Sequence, residues 1–124
     1  MSNNISETSK TEGLDDQFVF VANVDNFEDG EMNLFILESK EIIVCLVEDK
    51  LYAFSGICSH AYAEMINGDL DGHSVTCPLH FSEFDIRNGC PLDPPATEPL
   101  KTFDVLVEDN KVYVNLKGRT ENDE

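Results

Sequence analysis

Cys58-Ser59-His60 and Cys77-Pro78-Leu79-His80 are the two segments on which the reading of this chain turns. Sixteen residues lie between them. Each supplies one thiol and one imidazole, so together they present two Cys and two His in the order Cys-His, Cys-His. Two kinds of centre use these residue types. Zinc accepts two Cys and two His in a tetrahedron, but structural zinc sites group Cys with Cys and His with His. An iron–sulfur cluster with two chemically different irons needs its ligands sorted, two sulfurs to one iron and two nitrogens to the other. Each half here mixes the types, and one pair is spaced by a single residue. That order favours the iron–sulfur assignment and leaves zinc as the competitor.

Working outward, both pairs fall within Ser55–Pro99, a 45-residue stretch that holds all five prolines. An irregular segment of that length inside a compact domain is uncommon unless it is functional. It contains two short strand-like pieces, Ser74–Thr76 and Glu83–Ile86. Strand composition flanks it on both sides. Before it come Gln17–Val21, Met32–Glu38, Glu41–Glu48 and Leu51–Phe54, with Val24–Gly30 as a tight turn or single helical turn ended by Gly30. After it, Thr102–Val107, the turn Glu108-Asp109-Asn110 and Lys111–Leu116 predict a hairpin. Phe103, Val105 and Val107 alternate with Asp104, Leu106 and Glu108, as in a strand with one face buried. No stretch shows a convincing helical stripe. The expected architecture is all-β: an antiparallel sandwich or barrel built from both ends of the sequence, with a cluster-binding subdomain inserted at about 55–99. The polar segment 1–16 is expected to be a disordered tail, 17–118 the folded domain and 119–124 a C-terminal tail.

The chain has 124 residues and a net charge of −17. The tails account for only part of this, because residues 17–116 hold 18 acids against five bases. A body this acidic excludes binding to nucleic acid or anionic membrane by charge. It is steered instead towards proteins with basic patches; the plainer reading is that acidity only maintains solubility. No apolar run is long enough to span a bilayer, and the N-terminus lacks an apolar signal core, so a cytoplasmic protein is expected. In that compartment four cysteines read as metal ligands before disulfides. Cys45, within Ile42–Val47, reads as a small core hydrophobe. Cys90 reads as an inert thiol and His73 as a turn residue in solvent. No nucleophile–base pair, phosphate loop or nucleotide fingerprint is present.

The residues Cys58-x-His60 and Cys77-Pro78-x-His80, followed by Phe84-Asp85-x-x-Asn88-Gly89 and Pro91-x-x-Pro94-Pro95, resemble Rieske proteins. The resemblance spans about residues 18–116 and includes Glu28–Met32 and Lys50–Phe54. Its nearest subgroup is the small ferredoxins of bacterial aromatic-ring-hydroxylating dioxygenases. It implies the Rieske fold and one [2Fe–2S] cluster. Cys58 and Cys77 would hold the inner iron, and His60 and His80 the outer iron at the tip. Residues Asn88–Pro95 would form a stiff proline wall over the cluster, with Pro91 part of that wall. Two departures narrow the type. Respiratory and photosynthetic members carry an extra Cys in each ligand loop, joined as a disulfide; Ala63 and Leu79 stand there here. They also carry a Ser and a Tyr after the second His that donate hydroxyl hydrogen bonds towards the cluster. Ser82 is retained and Phe84 replaces the Tyr. Phe81 stands where many members have Gly, and is expected to shield His80, to contribute to an apolar docking surface or to pack in the core.

The expected function is that of a one-electron carrier and not an enzyme by itself. It would pass electrons from a flavin-dependent ferredoxin reductase to a terminal oxygenase, as a monomer, docking through His60, His80, Ala61, Tyr62 and Phe81. A small accessory subunit of a larger oxidoreductase, such as assimilatory nitrite reductase, is the alternative of a different class. A zinc-binding module is the third.

Overall fold

The run Ile42-Ile43-Val44-Cys45 has no solvent exposure at any position. Side chains alternate across a strand, so a continuous apolar run at full burial means that both faces are covered. This strand lies between two separate cores. Ile42 and Val44 enter the first, with Phe27, Leu51, Ala53, Phe103, Val107, Val112 and Val114. Ile43, Cys45 and Val47 enter the second, with Phe54, Cys58, Met65, Val75, Cys77, Phe84, Ile86 and Leu100.

The computed structural model describes residues 18–58, 63–79, 81–92 and 98–117. Both expected tails lie outside the described residues, as do His60, His80, Ala61, Tyr62, Pro94 and Pro95. The described strands run in chain order as β1 (Phe18–Asn23), β2 (Met32–Leu37), β3 (Lys40–Val47), β4 (Lys50–Ser55), β5 (Asp69–Asp71), β6 (Ser74–Thr76), β7 (Glu83–Asp85), β8 (Thr102–Phe103), β9 (Val105–Glu108) and β10 (Lys111–Asn115). They form three antiparallel sheets, ordered β1-β10-β9, β2-β3-β4-β8 and β5-β6-β7. The first sheet joins the two ends of the chain, with Phe18 opposite Asn115. The third is inserted between β4 and β8 and packs on the second-core face of β3. The all-β expectation holds, and among the described residues the only helical pieces are 3-10 turns at Val24–Asn26 and Met65–Asn67. No described helix is long and apolar enough to cross a membrane.

Three expectations need correction. Thr102–Val107 is not one strand. Thr102 and Phe103 pair with β4, whereas Val105–Glu108 pair with β10. The chain changes sheets at the exposed Asp104, whose carbonyl oxygen accepts from the Asn115 N–H at 2.9 Å. Leu106 was expected on the open face but is 3% exposed, beside Val107 at 3%. Both faces are covered once the strand has crossed. The helical turn that follows β1 stops at Phe27 and not at Gly30. Gly30 instead takes φ +85° and donates its N–H to the Leu46 carbonyl at 2.8 Å, aligning the entry to β2.

Hairpins β2–β3, β3–β4 and β9–β10 turn through Glu38-Ser39, Glu48-Asp49 and Asp109-Asn110, all six residues at φ between 51° and 72°. Two successive positive φ values define the type I′ turn, which matches strand twist but favours Asn-Gly. None of the three turns contains glycine. The left-handed conformation costs an L-residue roughly 1–2 kcal/mol. Replacing Glu48-Asp49 by Asn-Gly is therefore expected to stabilise the fold by about 1 kcal/mol net of the entropy cost of Gly. Urea denaturation followed by circular dichroism checks this; an unchanged or lower midpoint would contradict it.

Candidate metal centre

Two loops built to one plan carry the cysteine ligand candidates. After β4, the Ser55 hydroxyl donates to the Ile57 carbonyl and accepts from the Ile57 N–H, both at 3.1 Å. Gly56 packs flush against β3, where its N–H donates to the Glu41 carbonyl at 2.8 Å. A side chain there would crowd Glu41 Cβ at 3.0 Å. This corner delivers Cys58, whose N–H donates to the Ala63 carbonyl at 2.8 Å, and Ile57 bridges Glu64 across the neck of the loop. The second loop leaves β6 and returns on β7. Thr76 pairs with Glu83, and the Cys77 N–H donates to the Ser82 carbonyl at 2.8 Å. In both loops a Cys N–H is closed by the carbonyl five residues on, with the His candidate inside the closure.

Cys58 is 1% exposed and Cys77 0%, and they share one apolar cluster with Met65, Val75, Phe84 and Ile86. None of the four cysteines is in a disulfide. The positions of His60 and His80 fall outside the described residues. Ser82 is fully buried, so it does not face solvent. Phe81 is 70% exposed and sits at φ +60°, its N–H donating to the Cys77 carbonyl at 3.0 Å. It is therefore not a core residue. Phe84 is fully buried and brings no hydroxyl.

The third loop lines up along the outer edge of β7. Asp85 N–H donates to the Cys90 carbonyl at 2.9 Å, and Leu92 N–H to the Glu83 carbonyl at 2.7 Å. Half-buried Pro91 lies opposite Phe84. The loop neck is Gly89, whose carbonyl accepts from the Leu100 N–H at 2.8 Å. Arg87 braces the turn before it, donating Nε and Nη2 to the two carboxylate oxygens of Asp85, each at 2.9 Å. That fork holds the Asp85 carboxyl below the usual carboxylate range.

Other candidates sort simply. Burial pushes the Cys45 thiol up to about 12, so it stays protonated and packs as an apolar residue at neutral pH. Cys90 is exposed, its N–H held by the Asn88 side chain at 2.9 Å. His73 does occupy a turn, but it is half-buried with its ring edge-on to Tyr52 at 5.6 Å, and not free in solvent. Sequence reasoning missed Leu79 and Leu92 as surface features. Each is 52% exposed, one inside the second ligand loop and the other beyond Pro91. No periodicity marks a single Leu in a loop, so only the structure reveals them.

The family model for the Rieske [2Fe-2S] domain matches residues 17–104. The chain belongs to this family. As a Rieske domain it binds one [2Fe–2S] cluster, and the residues present fit that group. The two candidate thiol donors, Cys58 and Cys77, are dry, lie in one apolar cluster and are supplied by equivalent loops, and the family match displaces zinc as the competing reading. The domain is 35% identical over 88 residues to the ferredoxin component of the naphthalene 1,2-dioxygenase system of Pseudomonas aeruginosa, covering 71% of this chain and 85% of that protein. Among solved structures it is similar to the ferredoxin of carbazole 1,9a-dioxygenase from Nocardioides aromaticivorans IC177. That match has 33% identity and TM-score 0.75, covering 79% of this chain and 96% of the other. It is also similar to a chain in the complex of reduced oxygenase and oxidized ferredoxin in carbazole 1,9a-dioxygenase. There identity is 29% and TM-score 0.79, covering 86% of this chain and all of the other.

Proposed function

We propose that this Rieske domain is the one-electron carrier of a multicomponent aromatic-ring-hydroxylating oxygenase system. It takes electrons from a flavin-dependent ferredoxin reductase and delivers them to a terminal oxygenase, in the cytoplasm and as a monomer. Cys58 and Cys77 would hold the inner iron, and His60 and His80 the outer iron. When bound, the cluster supplies one-electron redox chemistry at a potential raised by its neutral imidazole ligands. The observation that carries this reading is the pair of identically closed loops that hold buried Cys58 and Cys77, with Leu79 and Phe81 exposed on the second loop. The relatives named as ferredoxin components, and the ferredoxin–oxygenase complex, support the same direction.

The chain's own part is to fix donors and to present a surface. Backbone hydrogen bonds close all three loops, which limits movement of the thiols when charge changes. Met65, Val75 and Phe84 keep water from the cysteine side. Phe81 is held in a conformation that bulky residues rarely adopt, at a cost of roughly 1–2 kcal/mol. That strain presents its ring to solvent directly after His80. The ring, with Leu79 and Leu92, forms the apolar contact for both electron partners.

Phe81→Gly removes the ring and relieves the strain together. Stability is expected to hold or rise by up to about 1 kcal/mol, the visible spectrum to stay unchanged, and electron transfer to oxygenase and reductase to slow about tenfold, as for loss of an interface anchor. Normal transfer rates in stopped-flow assays would remove the docking role.

Ser82 is assigned the remaining hydroxyl hydrogen bond towards the cluster. A hydrogen bond to a charged group contributes about 1.5–3 kcal/mol. On a one-electron couple that corresponds to about 65–130 mV. Because the bond favours the more negative reduced state, Ser82→Ala is expected to lower the midpoint potential by that amount. An unchanged potential in a redox titration would sink the assignment.

A further inference from the structure

We propose that the outer edge of β2 is a second docking element, accepting an extended segment of a partner protein whose side chains alternate between apolar and basic. The inference goes beyond the electron-carrier reading and does not depend on it. β2 ends the four-stranded sheet, and among the described residues no strand pairs with its outer edge. Its sequence, Met-Asn-Leu-Phe-Ile-Leu, lacks the Lys, Pro or bulge by which exposed edges are usually blunted. Phe35 and Leu37 pack into the first core. The alternate residues Leu34 and Ile36 stand on the opposite face, 38% and 61% exposed. On the second-core side, β2 meets the 3-10 turn Met65–Asn67, which carries half-buried Ile66. The result is an apolar strip running along an unpaired strand, the geometry used when a peptide adds to a sheet.

The charge around the strip decides what fits it. Glu31 and Glu38 flank β2, Glu41 is the register partner of Ile36, and Glu64 precedes the 3-10 turn. The nearby base, Lys40, directs its ammonium to the Leu116 carbonyl at 3.4 Å. The rim is acidic, so the complementary segment is basic. A second copy of this chain fits poorly. A second copy would bring the same acidic rim, Glu31, Glu38, Glu41 and Glu64, to the shared edge, where like charges repel. Each chain also carries a net charge of −17. The occupant is therefore a different protein, with apolar side chains that extend the Leu34–Ile36 row and Lys or Arg that meet the glutamates.

The test titrates the full-length holoprotein with a short fluorescent peptide alternating Lys and Val, with a Lys–Gly peptide of equal charge as control. Binding is expected to favour the Lys–Val peptide, to slow amide exchange within Met32–Leu37, and to weaken about tenfold or more in Ile36→Lys. Ile36 is exposed enough for that change to leave the fold intact. Equal affinity of wild type and Ile36→Lys, or protection located elsewhere, overturns the proposal. So does protection, before peptide is added, of the alternate Met32–Leu37 amides that do not bond β3, which means that the chain covers its own edge. A dimer in sedimentation that Ile36→Lys dissociates overturns it in favour of a second copy.

Discussion

Cys77→Ala is expected to give a colourless protein that cannot be reconstituted with iron and sulfide. Cys77 has no solvent exposure, and its backbone is held on both sides, N–H to the Ser82 carbonyl and carbonyl to the Phe81 N–H. Alanine keeps those bonds and removes only the sulfur. The proposed donor set then has one thiolate where the inner iron needs two. Metal binding and folding are coupled when the site is not preformed in the unfolded chain, so the loss of stability should exceed about 4 kcal/mol, in the range reserved for lost metals and disulfides. Cys45→Ala is the control. It removes a sulfur from the same core, but from a thiol that burial keeps neutral and that lies outside the proposed donor set. That change should cost only about 1–2 kcal/mol, as a small cavity, and should leave the visible spectrum intact. Absorption and electron paramagnetic resonance of the two purified variants decide the matter. A normal spectrum in Cys77→Ala would rule out the ligand assignment.

Gly89→Ala is expected to cost about 2–4 kcal/mol and to speed loss of the cluster. Gly89 sits at φ +82°, and a Cβ there would be driven into the carbonyl oxygen of Leu100. Backbone is a poor yielding partner, so the neck of the proline loop must open. Opening it breaks the Leu100 N–H bond to Gly89 and displaces Leu100, which is 1% exposed in the second core. Gly72→Ala isolates the steric part. Gly72 also has a positive φ, of +60°, but nothing lies within 4 Å of its added Cβ. That substitution should cost only about 1 kcal/mol. Equal losses in the two variants, measured by denaturant titration and by the rate of bleaching in air, would show that the neck is not what holds the loop.

Much of this molecule is legible in its residues. Glu41–Glu48 reads as a strand with Cys45 in the core, and the mixed order of Cys58-His60 and Cys77-His80 points away from zinc. What could not be read depended on partners and on backbone signs. Asp104 marks a change of sheet, yet alternation continues through it, so nothing in the residues signals a change of neighbour. β5 is Asp-Leu-Asp, two acids around one half-buried Leu, too polar for any strand pattern. Phe81 in the left-handed region is the opposite of what residue preference predicts. The identical closures at Cys58 and Cys77 are backbone bonds, to which side-chain identity gives no access.

β3 has its two faces in different cores, and that has a consequence for how long the holoprotein lasts. A cluster-binding insertion could in principle breathe open while the sandwich below stayed shut. Here the insertion rests on Ile43, Cys45 and Val47, whose neighbours Ile42 and Val44 anchor the sandwich. Lifting one layer strips half the wall of the other. Partial opening is therefore tied to disruption of the whole domain, and the slowest-exchanging amides of the chain should be those of β3. The shelf life of the metal centre is then a property of a strand that supplies no ligand to it.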